Sequence, residues 1–234
     1  MTTYVGGCGF RERSQSAARA LLSLGEAVVL ADVSEKRVRK DIETGVLPSI
    51  VRLEDARLCF QWADVFTLAA VYRHSHLSRR WRKLALEKVE CVSGKNAPLF
   101  LPCANRTTEW HRVAATATWH SLTVTLEGYL TLDLGRACED VKPRVDLYAE
   151  GLSRIEEKES VLGGDAVFKD TRLSVCHVGK MYDGGETAEN IINDYPNLSK
   201  NDIKFAQLYY LAHPPVGRPR KTLGAGHDGT LVAG

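Results

Sequence analysis

Residues 186–210 read ETAENIINDYPNLSKNDIKFAQLYY, and the bend in the middle of this stretch decides how the rear of the chain folds. Thr187 stands where a helix needs an N-cap. Ala188, Ile191, Ile192 and Tyr195 then recur at i, i+3, i+4 and i+7, the spacing of one helix face. Pro196 cannot extend that helix, because it lacks an N–H and pushes its predecessor out of α geometry. Ser199, followed three residues later by Asp202, makes a capping-box-like start for a second helix. Two helices packed across so short a turn outline a helix-turn-helix.

The same outline occurs near the front, in SLGEAVVLADVSEKRVRKDIETGVLPS at residues 23–49. Ala27, Val28, Leu30 and Ala31 form an apolar stripe, and Asp32–Val33 make the turn. Ser34 caps a second helix that turns Val38 and Ile42 inward. Gly45 supplies a left-handed stop and Pro48 prevents resumption. The following SIVRL has strand propensity and is expected to form a wing. A long helical region is expected from about Asp55 to Cys91, with Phe60, Trp62, Phe66, Leu68, Val71 and Tyr72 available for packing.

Further on the period changes. In WHSLTVTLEGYLTLDL, Leu122, Val124 and Leu126, then Leu130, Leu132 and Leu134, alternate with polar residues across Glu127–Gly128, which predicts a β-hairpin. Residues 135–160 are charged and read as a connector. VLGGDAVFKDTRLSV predicts a smaller hairpin turning at Lys169–Asp170. The pattern is therefore a mainly α chain with small β-hairpins (an α+β fold) built on two helix-turn-helix, winged-helix-like domains. Its expected segments are a flexible start at 1–20, a front domain at 21–110, a hairpin and connector at 111–160, a rear domain at 161–213 and a tail at 214–234. The tail holds three prolines and five glycines in 21 residues, a composition that predicts disorder in isolation.

With 234 residues, 44% hydrophobic and 26% charged, the composition is that of a soluble globular protein. No apolar run reaches the roughly 20 residues that span a bilayer, and MTTYVGGCGFRERSQ has no secretory pattern, so a cytoplasmic location is expected. Cys8, Cys59, Cys91, Cys103, Cys138 and Cys176 form no C-x-x-C pair, which fits reduced thiols better than a disulfide or zinc framework.

The net charge of +2 implies little, but its distribution is uneven: residues 72–95 carry seven Lys/Arg against two Glu, whereas 183–213 carry five Asp/Glu against two Lys. A helix that reads DNA approaches a row of phosphates, so cations at its start and flanks favour it. Lys36, Arg37, Arg39 and Lys40 can fan over the outer face of the second front helix, with Ser34 at its start and Arg52 on the wing. The competing reading is a solvated helix with local ion pairs to Glu35, Asp41 and Glu43. The rear pair would present Glu186, Glu189, Asp194 and Asp202 to the phosphates, offset only by Lys200 and Lys204, and is a poor DNA reader. Its apolar surplus at Ile203, Phe205, Ala206, Leu208, Tyr209 and Tyr210 predicts burial against a partner or the other domain, or an ordinary domain core.

No enzyme constellation assembles. His74 and His76 stand two apart, which on a helix points them to different faces. His111 and His120 sit near Trp110 and Trp119. Glu156, Glu157 and Glu159 form a charged run that reads as solvated. GGDA at 163–166 is only a fragment of a nucleotide-cyclase signature. There is no P-loop, dinucleotide fingerprint or nucleophile elbow. A hydrolase assembled from scattered His and acidic residues is the remaining enzyme alternative. The expectation is a non-enzyme without metal or cofactor.

Residues 164–213 resemble a small bacterial domain found in antitoxins encoded beside PIN-like ribonuclease toxins. Its pattern runs Gly-x-Pro-x-Ile-x-Gly-Thr-Arg-x-x-Val, then Gly, then a Tyr-Pro-x-Leu-Ser/Thr turn. Gly164, Thr171, Arg172, Val175, Gly185, Tyr195, Pro196, Leu198, Ser199, Asp202 and Ile203 match in order, while Ala166 and Asp170 replace the usual Pro and Gly. The front pair resembles the DNA-binding module of MerR-like regulators. Together the two resemble a VapB-type antitoxin of the long, two-domain kind. That resemblance implies a homodimer that binds operator DNA and silences a PIN-like ribonuclease. Such toxins hold magnesium with clustered acidic side chains. Arg218, Arg220 and Lys221 in GRPRK could enter that cleft, the arginines by bidentate contact. Gly-Arg-Pro also resembles an AT-hook core, so a minor-groove contact is one alternative for the tail, and a solvated tail is another. A MerR-like regulator unrelated to a toxin is the alternative for the whole chain.

Overall fold

A computed structural model describes residues 21–47, 52–54, 57–73, 77–96, 123–127, 130–157 and 162–214. The readings made for residues 1–20, for His74, His76, His111 and His120, and for the tail beyond Pro214 lie outside these residues.

The front module begins with strand β1 (Leu22–Ser23) and helix α1 (Leu24–Ala31). Ser23 Oγ accepts from the Glu26 N–H at 3.2 Å while Glu26 accepts from the Ser23 N–H at 2.7 Å, so two orphan amides are satisfied reciprocally. Asp32 ends α1 in the left-handed region at φ 58°. Helix α2 (Glu35–Glu43) follows. Its end is a full Schellman motif: Gly45, at φ 68°, donates to the Ile42 carbonyl at 3.0 Å and Val46 to the Asp41 carbonyl at 2.8 Å. Ser34 occupies the N-cap position of α2, but its hydroxyl makes no capping hydrogen bond.

The expected wing is present as β2 (Arg52–Glu54) antiparallel to β3 (Arg57–Phe60), and β3 also pairs with β1, giving the order β1-β3-β2. The single long helix expected from Asp55 is therefore corrected. Residues 57–60 of it form β3, and the helical part divides into α3 (Trp62–Tyr72) and α4 (Arg79–Asn96). Asp64 starts α3 afresh by accepting the Gln61 N–H at 2.7 Å, a local signal that a short apolar run conceals.

The β4–β5 hairpin (Thr123–Leu126, Leu130–Asp133) is where the alternation placed it. The charged segment read as a connector is instead α5 (Leu134–Ser153), capped by Asp133, whose carboxylate accepts the Arg136 N–H at 2.9 Å. Pro143 lies inside this helix. Val141, Val145 and Tyr148 are buried on one face of it, so α5 is a central element rather than a tether.

The rear unit opens with β6 (Ile155–Glu157), followed by a 3-10 turn at Leu162–Gly164 and β7 (Ala166–Phe168). The small hairpin is corrected in part. The turn at Lys169–Asp170 is kept, with Asp170 standing in for glycine at φ 60°, but the return arm is one bridge from Val167 to Ser174. The main partner of β7 is the upstream strand β6. Helices α6 (Val175–Asp183), α7 (Ala188–Asp194) and α8 (Lys200–Ala212) complete the unit. Thr187 Oγ1 accepts from the Asn190 N–H, and Ser199 and Asp202 form a capping box, as the spacing predicts.

The apolar surplus of α8 is buried within this chain, against α1, α5 and α6. Gly179 permits a close approach of α6 to α8, because a Cβ there would lie 2.1 Å from the Ala206 carbonyl oxygen. Tyr148 sits fully buried where α1, α3, α5 and α8 meet, with ring centroids 6.4 Å from Trp62, 5.5 Å from Phe205 and 6.5 Å from Tyr209. The two expected domains thus share one hydrophobic core.

Candidate nucleic-acid interface

Helix α2 has two chemically opposite faces. Val38 and Asp41 are buried and Ile42 is partly so, whereas Lys36, Arg39 and Lys40 are exposed. Arg37 differs from the outward fan expected for it. It shares the i, i+4 face with Asp41, is half-buried, and donates from Nη2 to the Leu77 carbonyl at 2.9 Å. Arg39 pairs with Glu35 at 2.5 Å across one helical turn, as the solvated-helix reading anticipates. Both side chains are about half exposed, so the pair is easily exchanged for another anion. Ser34 is exposed at the helix start. Arg52 stands in β2 opposite Cys59.

Behind α2 lies a polar cluster that sequence reasoning missed. Arg82 of α4 grips Asp41 with two hydrogen bonds, Nε to Oδ2 at 2.6 Å and Nη2 to Oδ1 at 2.9 Å. Tyr72 of α3 donates its hydroxyl to Asp41 Oδ2 at 2.9 Å, and the guanidinium lies 5.8 Å from the Tyr72 ring centroid. The third Arg82 nitrogen donates to the Leu77 carbonyl at 2.6 Å, so that oxygen receives both Arg82 and Arg37. All three side chains are buried. Burial opposes ionisation of Asp41, but the hydrogen bonds from Arg82 and Tyr72 and the charge of Arg82 outweigh it and lower the carboxyl pKa. Burial first, then the charge of Asp41, pushes the Tyr72 phenol up. The hydrogen bond to Asp41 holds Arg82 firmly protonated. The available signal was the i, i+3, i+4 row Arg82, Ala85, Leu86, which puts an arginine on an apolar face and so demands an acidic partner.

The first turn of α4 adds a cation beside α2. Arg79 donates to the carbonyl of Thr44, the C-cap of α2, at 2.7 Å, where a positive charge also suits the helix dipole. Arg80 pairs with Glu127 at 3.0 Å and Lys83 is exposed. Of the seven cations over residues 72–95, Arg79 and Arg80 thus lie in this turn, Arg82 enters the buried cluster, and Arg73 pairs with Asp32 and Asp140.

The rear pair presents a different surface. Glu186 and Asp194 are exposed, and Glu189 pairs with Lys200 at 2.6 Å. Asp202, read as presented to the phosphates, is corrected: it is buried, completes the expected cap of α8 and accepts from Arg154 at 2.9 Å. A cavity of about 270 Å³ beside it is lined by Arg154, Lys169, Phe168, Thr171 and Leu198. Its two cations are already engaged, by Asp202 and by the Ser153 carbonyl. Glu156 and Glu157, read as part of a solvated run, lie in β6. Among the described residues no His/Cys/Asp/Glu group could hold a metal ion, and no helix is long and apolar enough to cross a membrane. Arg218, Arg220 and Lys221 lie outside the described residues.

Residues 155–210, the span from β6 into α8, match a family described as a protein of unknown function, DUF433. Over 222 residues the chain is 28% identical to "Uncharacterized protein y4eO" of Sinorhizobium fredii (strain NBRC 101917 / NGR234), covering 94% of each protein. That similarity extends across both front and rear units. No solved structure matches the chain.

Proposed function

We propose that this chain is a VapB-type antitoxin: a homodimeric repressor that binds operator DNA through its front module and inhibits a PIN-like ribonuclease through its basic tail. The DNA half rests on one observation, the division of α2 into a face anchored by Val38 and Asp41 and a face presenting Lys36, Arg39 and Lys40. Arg79, bonded to the C-cap of α2, adds a cation at the end of that helix, and the β2–β3 wing follows it in the chain. Phosphate neutralisation by such cations releases counterions and provides sequence-independent affinity. The toxin half rests on the antitoxin-like pattern in residues 164–213, within which the DUF433 match ends at residue 210, and on Arg218, Arg220 and Lys221 just beyond it. Reduced, cytoplasmic conditions suit Cys59 and Cys176, which carry no disulfide.

The front module by itself equally suits a MerR-like regulator with no toxin, since its geometry bears on DNA alone. Footprinting on the duplex upstream of the chain's own reading frame tests the DNA half. Protection that depends on Lys36, Arg39 and Lys40 is expected, and protection that depends instead on Lys200 and Lys204 would move the interface to the rear unit. Co-expression with the neighbouring reading frame separates the readings: an antitoxin relieves that product's ribonuclease activity, a MerR-like regulator does not.

A further inference from the structure

The cluster behind α2 is more elaborate than holding two helices together requires. A buried, bidentate ion pair loses so much hydration that apolar residues of similar size often match or exceed its stability. What apolar packing does not supply is direction. Val38 and Ile42 press α2 against the core through contacts that carry no direction. The Asp41 carboxylate supplies it, because it is held at once by the Arg82 fork at 2.6 and 2.9 Å and by the Tyr72 hydroxyl at 2.9 Å. The Leu77 carbonyl, bonded to Arg82 and Arg37, ties the chain entering α4 to the same point. Arg39 and Lys40 before Asp41, and Glu43 two residues after it, face outward.

Contacts to phosphates tolerate a small helix rotation, whereas side chains that read base edges do not. We infer that Asp41, Arg82 and Tyr72 are positioning residues that set the register of α2 for sequence-specific DNA recognition, and that they contribute little to nonspecific binding. This rests on the DNA-binding reading above.

The test compares two duplexes of equal length, one from upstream of the chain's own reading frame and one scrambled, across a salt series with the full chain. The double variant Asp41→Leu/Arg82→Met replaces the pair by apolar residues. It strands the buried Tyr72 hydroxyl and is therefore expected to melt below the wild type while still folding, to keep the affinity and salt slope for the scrambled duplex, and to lose roughly tenfold or more of its preference for the upstream duplex. Arg82→Lys keeps the charge but not the fork, and Tyr72→Phe removes one hydrogen bond. Each is expected to lose part of the same preference, and these two decide the matter if the double variant does not fold. A wild-type preference in all folded variants overturns the inference. So does a parallel fall in affinity for both duplexes, since that is what a merely structural pair produces. If the unmodified chain does not distinguish the duplexes, the DNA-binding reading itself fails and the inference falls with it.

Discussion

Tyr148 donates a hydrogen bond of 2.9 Å to Glu26, a residue 122 positions away in the chain. The same carboxylate accepts the Ser23 amide at the start of α1 and lies 3.5 Å from His213 Nε2 at the end of α8. His213 in turn stacks on Tyr209 with centroids 4.2 Å apart. A helix-capping acid in the front module therefore serves as an anchor for α5 and for the last turn of the rear unit.

Removing that hydroxyl leaves the buried carboxylate one donor short. Tyr148→Phe is expected to lower stability by about 1–3 kcal/mol, the range for an under-satisfied buried acceptor. Urea unfolding followed by circular dichroism measures it, and an unchanged midpoint would show that the bond is replaced by another donor.

Gly179→Ala puts a methyl carbon 2.1 Å from the Ala206 carbonyl oxygen. Backbone cannot yield as a flexible side chain can, so α6 and α8 must separate. A loss of about 1–3 kcal/mol is expected, with near-ultraviolet circular dichroism reporting the disturbed packing around Tyr210.

The buried cluster makes opposite contributions at the two ends of the pH scale. The folded-state pKa of Asp41 is lowered, so its contribution is complete above the unfolded value of about 3.9 and disappears as pH falls through the lower folded value. The folded-state pKa of Tyr72 is raised, so its contribution is complete below about pH 10 and disappears as pH rises through the raised value. In a stability–pH profile, Asp41→Asn is expected to flatten the acid limb and Tyr72→Phe the alkaline limb. The reverse assignment would contradict the geometry.

Neutralising Lys36, Arg39 and Lys40 together is expected to weaken binding to the upstream duplex. It should also flatten the salt dependence, by about one unit of slope for each phosphate left without its cation. Titrations by fluorescence anisotropy at several salt concentrations give the slope directly. Neutralising Lys200 and Lys204 should leave it unchanged.

Ending the chain at Pro214 removes Arg218, Arg220 and Lys221 while keeping α8 and its anchor on Glu26. Loss of ribonuclease inhibition with intact duplex binding is expected. Full inhibition by the shortened chain would place the toxin-binding surface elsewhere.

What could be read in advance was local and punctuated. Thr187, the Ser199–Asp202 box, the Gly45 stop and the Asp32 turn each satisfy their own backbone within a few residues, so their residue types announce them. Helix α5 was hidden because its charges read as a connector, although Ala137, Val141, Val145 and Tyr148 recur on one face. Strand β3 was hidden because four residues cannot distinguish a strand from a helix start. In the interface, the exposed cations were legible as composition. Which of them turned inward was not, because Arg37 and Arg82 are placed by the Leu77 carbonyl and by Asp41, partners 40 and 41 positions distant.

Two of the acids that begin helices also bridge distant segments: Glu26 to Tyr148, and Asp202 to Arg154. Nucleating a turn and fastening the tertiary structure are therefore jobs of the same atoms. Melting α8 strips Tyr148 and α1 of their cover, and fraying α1 releases the end of α8. Front and rear should accordingly lose structure in one shared transition, with no stage at which either half persists by itself.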